Sequence, residues 1–342
     1  MTYYLIPLLF FYALSLAGRI SREPKTLVAL GALPAALLVI LRGNVGTDTA
    51  VYLQSVELLS AEGVPINIFE PAFEYLVLSL SALSLSPAWV LSAIAGMTTI
   101  IFFIGWFRID RSLTILSCIF AIFYFDMTMN GVRYGLAFSL VLLGASYLIK
   151  ARKIEYMFFV LLASFVQVSS CLLGILLFML HEKKWSTAAY CLSAAALLST
   201  QFTEYIVLKA LANESLQSPA ATSGMAPLVV TLASLGAWAT NRSIRTGAGS
   251  KIIVLLVLAF ATYGMSQFFY AGLRFQFLIF FLVALCLCCH LHSIGRRMPR
   301  SLGISLIIIG ILGAGLRLRN FSDGAFDGES PFIPYHFIWE EN

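Results

Sequence analysis

Long apolar runs recur along the whole chain, separated by short basic connectors: GRISREPK, FRIDR, IKARK, HEKKW, NRSIRTGAGSK and HSIGRRMPR. No other feature constrains the fold as much. A helix needs about 20 apolar residues to span a bilayer, and no aqueous core could bury so many such runs. Hydrophobic residues make up 60% of the chain and charged ones 11%, against about 25% charged in soluble domains. The sequence therefore predicts an all-α, polytopic integral membrane protein, a single membrane domain over 1–342. About ten spans are expected, at 2–17, 26–41, 88–107, 112–129, 133–149, 185–200, 225–241, 251–270, 273–291 and 301–316. The first, TYYLIPLLFFYALSLAG, lacks a basic n-region and a small-residue cleavage site, so it reads as a retained helix.

Basic residues in short loops orient such a chain. Placing every basic connector in the cytoplasm accounts for 16 of the 22 Lys and Arg. Arg42, Arg133, Lys209, Arg274, Arg317 and Arg319 then fall on the opposite side, together with 13 of the 17 acidic residues. Parity follows. Residues 42–87 must begin and end outside, so the apolar stretch 70–84 is a re-entrant or interface-lying helix, preceded by the amphipathic VYLQSVELLSAEG. Both flanks of 156–180 belong in the cytoplasm, which predicts two short helices broken near Gln167–Ser170. Broken backbone at membrane depth is tolerated where it lines a cavity or is buried in protein. A periplasmic tail is expected over 317–342.

Several function classes recede on composition. Cys118, Cys171, Cys191, Cys286, Cys288 and Cys289 all lie in apolar runs and read as small hydrophobes rather than a disulfide framework. No basic run interleaved with aromatics suggests nucleic acid, and no glycine-rich phosphate loop suggests a nucleotide. His181, His290 and His292 fall at cytoplasmic helix ends; His336 alone is outside. No metal site and no cofactor are expected.

The chemistry gathers at the outer helix ends. Arg42, Arg133 and Arg274 each start or end a span, where an arginine costs about 2.5–3.5 kcal/mol to insert at full depth. Arginine's planar fork matches phosphate oxygens, and helix N-termini, expected at Arg133 and Arg274, favour anions. One reading is a shared site for a phosphate-bearing lipid. The other is that each arginine snorkels to headgroups or pairs with Asp48, Asp126 or Glu70. Asp48, in GTDT, is also a candidate N-cap for a helix from Thr49.

The ordered set Arg42…Gly46-Thr47-Asp48…Tyr52, Glu70-Pro71-Ala72-Phe73-Glu74, Asn130-Gly131-Val132-Arg133, the QVSS turn at 167–170, Arg274 and Pro334-Tyr335-His336-Phe337 resembles EpsG-type and Wzy-type polysaccharide (O-antigen) polymerases. Two positions depart from the family pattern. Tyr134 follows Arg133 where the family usually has Gln, and Gln167 stands where it usually has His, which removes the obvious base at that turn.

The resemblance implies a membrane glycosyltransferase joining undecaprenyl-diphosphate-linked oligosaccharide repeats. The growing chain would pass to the non-reducing end of a new lipid-linked unit, at the periplasmic face of the bacterial inner membrane. Arg42, Arg133 and Arg274 would stabilise the departing diphosphate, and Asp48, Glu70 or Glu74 would orient or deprotonate the acceptor hydroxyl. Glu70 and Glu74 would share a helix face. Tyr52, Gln167, Ser169, Tyr335 and His336 would line the substrate, with His336 an alternative base. Partners would be the lipid-linked oligosaccharide, membrane lipid and a chain-length regulator protein. A lipid-linked oligosaccharide flippase or transporter, and a membrane O-acyltransferase, are the competing classes. A transporter should show inverted repeats, and an acyltransferase a histidine at the outer pocket.

Overall fold

The computed structural model describes residues 1–21, 23–110, 112–182, 224–268, 270–322 and 330–340. Among these residues no strand forms, and extended pairing is confined to isolated antiparallel bridges joining Arg42 to Phe337 and Ser330 to Ile333. The helices are α1 (Thr2–Gly18), α2 (Pro24–Ile40), α3 (Thr49–Glu62), α4 (Pro71–Ser81), α5 (Pro87–Ile109), α6 (Thr114–Phe125), α7 (Val132–Leu148), α8 (Lys153–Val166), α9 (Ser169–Glu182), α10 (Met225–Thr240), α11 (Gly249–Ser266), α12 (Tyr270–Ser293) and α13 (Arg300–Ser322). A π-helical turn, Asp126–Asn130, separates α6 from α7.

Four helices among the described residues are long and apolar enough to cross a membrane: Pro87–Ile109, Gly249–Ser266, Gly272–Ser293 and Arg300–Arg319. Shorter apolar helices accompany them at Thr2–Gly18, Pro24–Ile40, Thr114–Asn130, Val132–Leu148, Ser169–Glu182 and Met225–Thr240. Every expected span meets one of these helices except 185–200, which lies outside the described residues. Large apolar side chains such as Ile6, Leu9, Ile100, Ile104, Phe158 and Leu161 point away from the packed interior. So much exposed hydrocarbon belongs against lipid. The chain is a membrane protein.

Local chemistry explains where the elements start and stop. Proline opens α2, α4 and α5, where its missing N–H has no partner to lose. Gly63 ends α3 in the left-handed conformation, with φ +68°. Helices α3 and α4 have 14 and 11 residues, hence about 21 and 17 Å at the helical rise. Neither length reaches the roughly 30 Å of a hydrocarbon core. Between α8 and α9 the helix breaks at Gln167, whose backbone is extended.

The chain packs as two compact units, one formed by Met1–Ser170 with Gly310–Asn342 and the other by Cys171–Ile309. In the second, α10, α11 and α12 pack on one another. In the first, α1 packs on α2, α5 on α7, and α7 on α8, while the short α3 and α4 lean on α5 and α8 respectively. Helix α6 is its core, and every one of its residues is buried. Asp110 fixes where it begins. Its Oδ2 accepts N–H bonds from Ile115 (2.8 Å) and Leu116 (3.0 Å), and its Oδ1 accepts from the Ser112 amide and hydroxyl. Phe11 stacks on Phe120 at 4.0 Å, and Phe120 on Tyr124 at 4.6 Å. A helix anchored on all sides carries the π-turn at its C-terminal end to a defined place.

Candidate functional site

The π-turn is the socket for the loop between α2 and α3. Thr128 O accepts from Arg42 Nη1 at 2.6 Å, Met129 O from Thr49 Oγ1 at 3.3 Å, and Asn130 Oδ1 from the Thr47 amide at 3.0 Å. Asp126 in turn holds Asn130, accepting its Nδ2 at 2.9 Å, and forms an ion pair with Arg317 at the end of α13. Gly46 lets the loop approach this closely. Its φ is +118°, and a Cβ there would stand 2.9 Å from Asn130 Oδ1 and 3.3 Å from Met129 O.

The C-terminal segment closes the loop from the other side. Gly43 N donates to His336 O (2.9 Å), Gly46 N to Pro331 O (2.8 Å), and Ile338 N to Leu41 O (2.9 Å). Tyr335 donates its hydroxyl to Leu38 O, and Tyr4 donates to Phe332 O at 3.1 Å. Tyr335 is thus buried and engaged with backbone, whereas the His336 ring is exposed, 3.6 Å from Glu340 Oε2. Residues expected to form a tail are built into the structure: 317–322 complete α13, and 330–340 clasp the Arg42 loop.

Arg42 is 5% exposed, yet its side chain has Thr128 O as its one hydrogen-bond partner among the described residues. Nε and Nη2, both buried, have no partner among the described residues. These two atoms form the lateral edge of the guanidinium fork, the edge that grips two oxygens of one phosphate or carboxylate. Burial pushes the Arg42 pKa down to about 10, opposed by the nearby Tyr335, Tyr4, Tyr52 and Tyr124, so it stays a cation at neutral pH. The side chain lines a cleft with Gly43, Thr49, Leu53, Ala88, Leu91 and Ser92. A buried cation with open donors is a costly arrangement unless an anion completes it.

Arg133 differs. It is buried against Glu70 in an ion pair, its Nε lies 3.4 Å from the Tyr52 hydroxyl, and its guanidinium covers the Phe69 ring at 4.6 Å. Glu70 stands at the N-cap position of α4 without capping it. Besides Arg133 it accepts the Val168 amide at 3.3 Å. Glu74 turns back instead, accepting from the Phe69 amide (2.8 Å) and the Asn67 amide (3.2 Å). The two glutamates therefore do not act from one face: one neutralises an arginine and the other shapes a turn. Asp48 occupies the N-cap position of α3 but makes no capping bond. Half-buried, its Oδ1 accepts from Thr47 Oγ1 at 3.1 Å. Arg274 lies in the second unit, exposed, one turn into α12.

Gln167 and Ser169 flank the break after α8. Gln167 is 5% exposed with a buried Oε1 that has no partner, and Ser169 Oγ is likewise buried and unpartnered among the described residues. Sequence reasoning did not find the π-turn or the Asp126–Arg317 pair. Arg317 stood out only as a basic residue at the far end of the last span, and 191 positions separate it from Asp126.

The profile of one family, described as EpsG family, matches residues 25–337. The chain belongs to the EpsG family. That match takes in the Arg42 loop, both short helices, the π-turn, the break at Gln167 and the clasp as far as Phe337. Membership of the EpsG family brings a polysaccharide-polymerase role of glycosyltransferase type, a lipid-linked saccharide as substrate and a place in the membrane. No curated protein and no solved structure matches the chain.

Proposed function

We propose that this EpsG-family protein polymerises undecaprenyl-diphosphate-linked oligosaccharide repeats into O-antigen or a related surface polysaccharide, at the periplasmic face of the bacterial inner membrane. The observation that carries the reading is Arg42, buried with the Nε and Nη2 edge of its guanidinium open. In the reaction, the acceptor hydroxyl oxygen forms a bond to the anomeric carbon of the growing chain. The bond from that carbon to the diphosphate oxygen breaks, and the lipid diphosphate leaves with the electron pair. Arg42 meets the charge developing on the leaving group, held in place by Thr128 O and by the clasp. A preorganised donor of this kind acts on the transition state without reorganising. Asp48, at the start of α3, is the carboxylate proposed to take the acceptor proton. Arg133 serves differently: with Glu70 as counter-ion it holds Tyr52 and the α8–α9 break in position.

The test uses the full chain in lipid vesicles with the host's lipid-linked repeat. Wild type is expected to build a polymer ladder, and Arg42→Ala to slow it by about 30- to 1,000-fold, the range for loss of one transition-state donor worth roughly 2–4 kcal/mol. Arg42→Lys should recover only part of the rate, because an ammonium has no two-pronged edge. Translocation of the repeat without lengthening would overturn the polymerase reading in favour of a transporter.

A further inference from the structure

We infer that the break between α8 and α9 is a subsite for an uncharged, hydroxyl-rich group, the acceptor sugar, bound by the Gln167 side-chain amide and the Ser169 hydroxyl. The inference rests on the polymerase reading and gives the acceptor sugar a place apart from the diphosphate.

Charge comes first. Both groups flank Val168, whose amide is bonded to Glu70 Oε1, and the other Glu70 oxygen meets Arg133. Both partners of that ion pair are buried. Carboxylate and guanidinium together carry no net charge, so the floor of the break has little to offer a phosphate. Arg42, in a different loop, is a buried cation with no carboxylate partner among the described residues.

Hydrogen-bonding capacity comes second. Gln167 Oε1 and Ser169 Oγ are buried polar atoms without partners among the described residues. Buried polar groups are nearly always satisfied, and exceptions call for an explanation. The backbone nearby offers no substitute: the Gln167 carbonyl is taken by the Ser170 amide (3.0 Å) and hydroxyl (2.8 Å), and no group among the described residues completes either atom. A ligand hydroxyl donates and accepts at once, so it suits the amide in either orientation and the serine as well. A phosphate oxygen only accepts, so it could take the serine hydroxyl but would leave Oε1 without a donor, whereas a sugar hydroxyl can serve both atoms. Backbone broken at membrane depth belongs where a cavity or a substrate is lined.

The experiment measures binding to the full chain in lipid nanodiscs. One probe is the free oligosaccharide released by mild acid from the host's lipid-linked repeat, and the other is inorganic pyrophosphate. Gln167→Leu is expected to weaken oligosaccharide binding at least 10-fold while leaving pyrophosphate binding and thermal stability intact. Arg42→Lys should do the reverse, weakening pyrophosphate and sparing the sugar. Ser169→Ala removes a single hydroxyl and carries the same test if Gln167→Leu fails to reach the membrane. Oligosaccharide bound equally well by wild type, Gln167→Leu and Ser169→Ala would overturn the subsite, as would an equal loss of both probes. Vesicle assays with wild type keep the two claims apart: a normal ladder with unaltered sugar binding by the variants sinks the subsite alone, whereas no ladder sinks the polymerase reading beneath it.

Discussion

At the scale of single residues, identical side chains have different tasks because their partners differ. Glu74 gives both oxygens to backbone amides, so Glu74→Gln should lose one of two acceptors and cost about 1–2 kcal/mol. Its thermal midpoint should fall while the rate per folded molecule stays near wild type. Asp48→Asn should behave in the opposite way. No capping bond is lost, so the folded level should hold while the polymerisation rate drops with the carboxylate charge. Equal rates for wild type and Asp48→Asn would remove Asp48 from the chemistry. Gly46 is the third case. With φ at +118° and Asn130 Oδ1 in the way, Gly46→Ala should destabilise by about 1–3 kcal/mol, read as a lower midpoint in detergent.

At the scale of elements, the Arg42 loop is held between the π-turn and the C-terminal clasp. A π-bulge gives up regular helix geometry, and such features recur at functional sites. Here the turn presents Thr128 O, Met129 O and Asn130 Oδ1 to one loop. The clasp adds backbone bonds from Gly43, Gly46 and Ile338. Removing 330–342 should therefore loosen Arg42 without touching any charged group proposed for the reaction. The expected outcome is a fall in pyrophosphate affinity in nanodiscs, with the helical circular dichroism retained. The GTD segment, the NGVR segment and the PYHF segment each stand out in the sequence, yet none announces that it touches the others. Glu70 and Arg133 show the same gap from another side: Glu70 was one of three carboxylates open to any of the arginines, and the fold, across 63 positions, selects Arg133 for it.

At the scale of the whole molecule, the basic connectors and the two short helices make a topological prediction. With 42–87 on the periplasmic side, cysteines placed at the exposed Ser60 and Ser86, in a background lacking native cysteines, should both react with an impermeant reagent added from outside. Labelling of Ser86 only after the membrane is opened would reverse that placement.

Hydropathy and punctuation are local properties, which is why the sequence alone determined the all-helical membrane class and the positions of the described apolar helices, while the parity of the basic connectors pointed to short helices in 42–87 and a break near Gln167–Ser170. Proline at helix starts, Gly63 at a helix end and runs too short to span act within one or two turns of themselves. Pairing is not local. Which arginine keeps an open edge depends on which carboxylate the packed helices bring to it, and tertiary structure alone decided that Arg133 meets Glu70, Arg317 meets Asp126, and Arg42 meets neither. The cost of a buried charge is settled by its neighbours within a few ångströms, and those neighbours come from helices far apart in the chain.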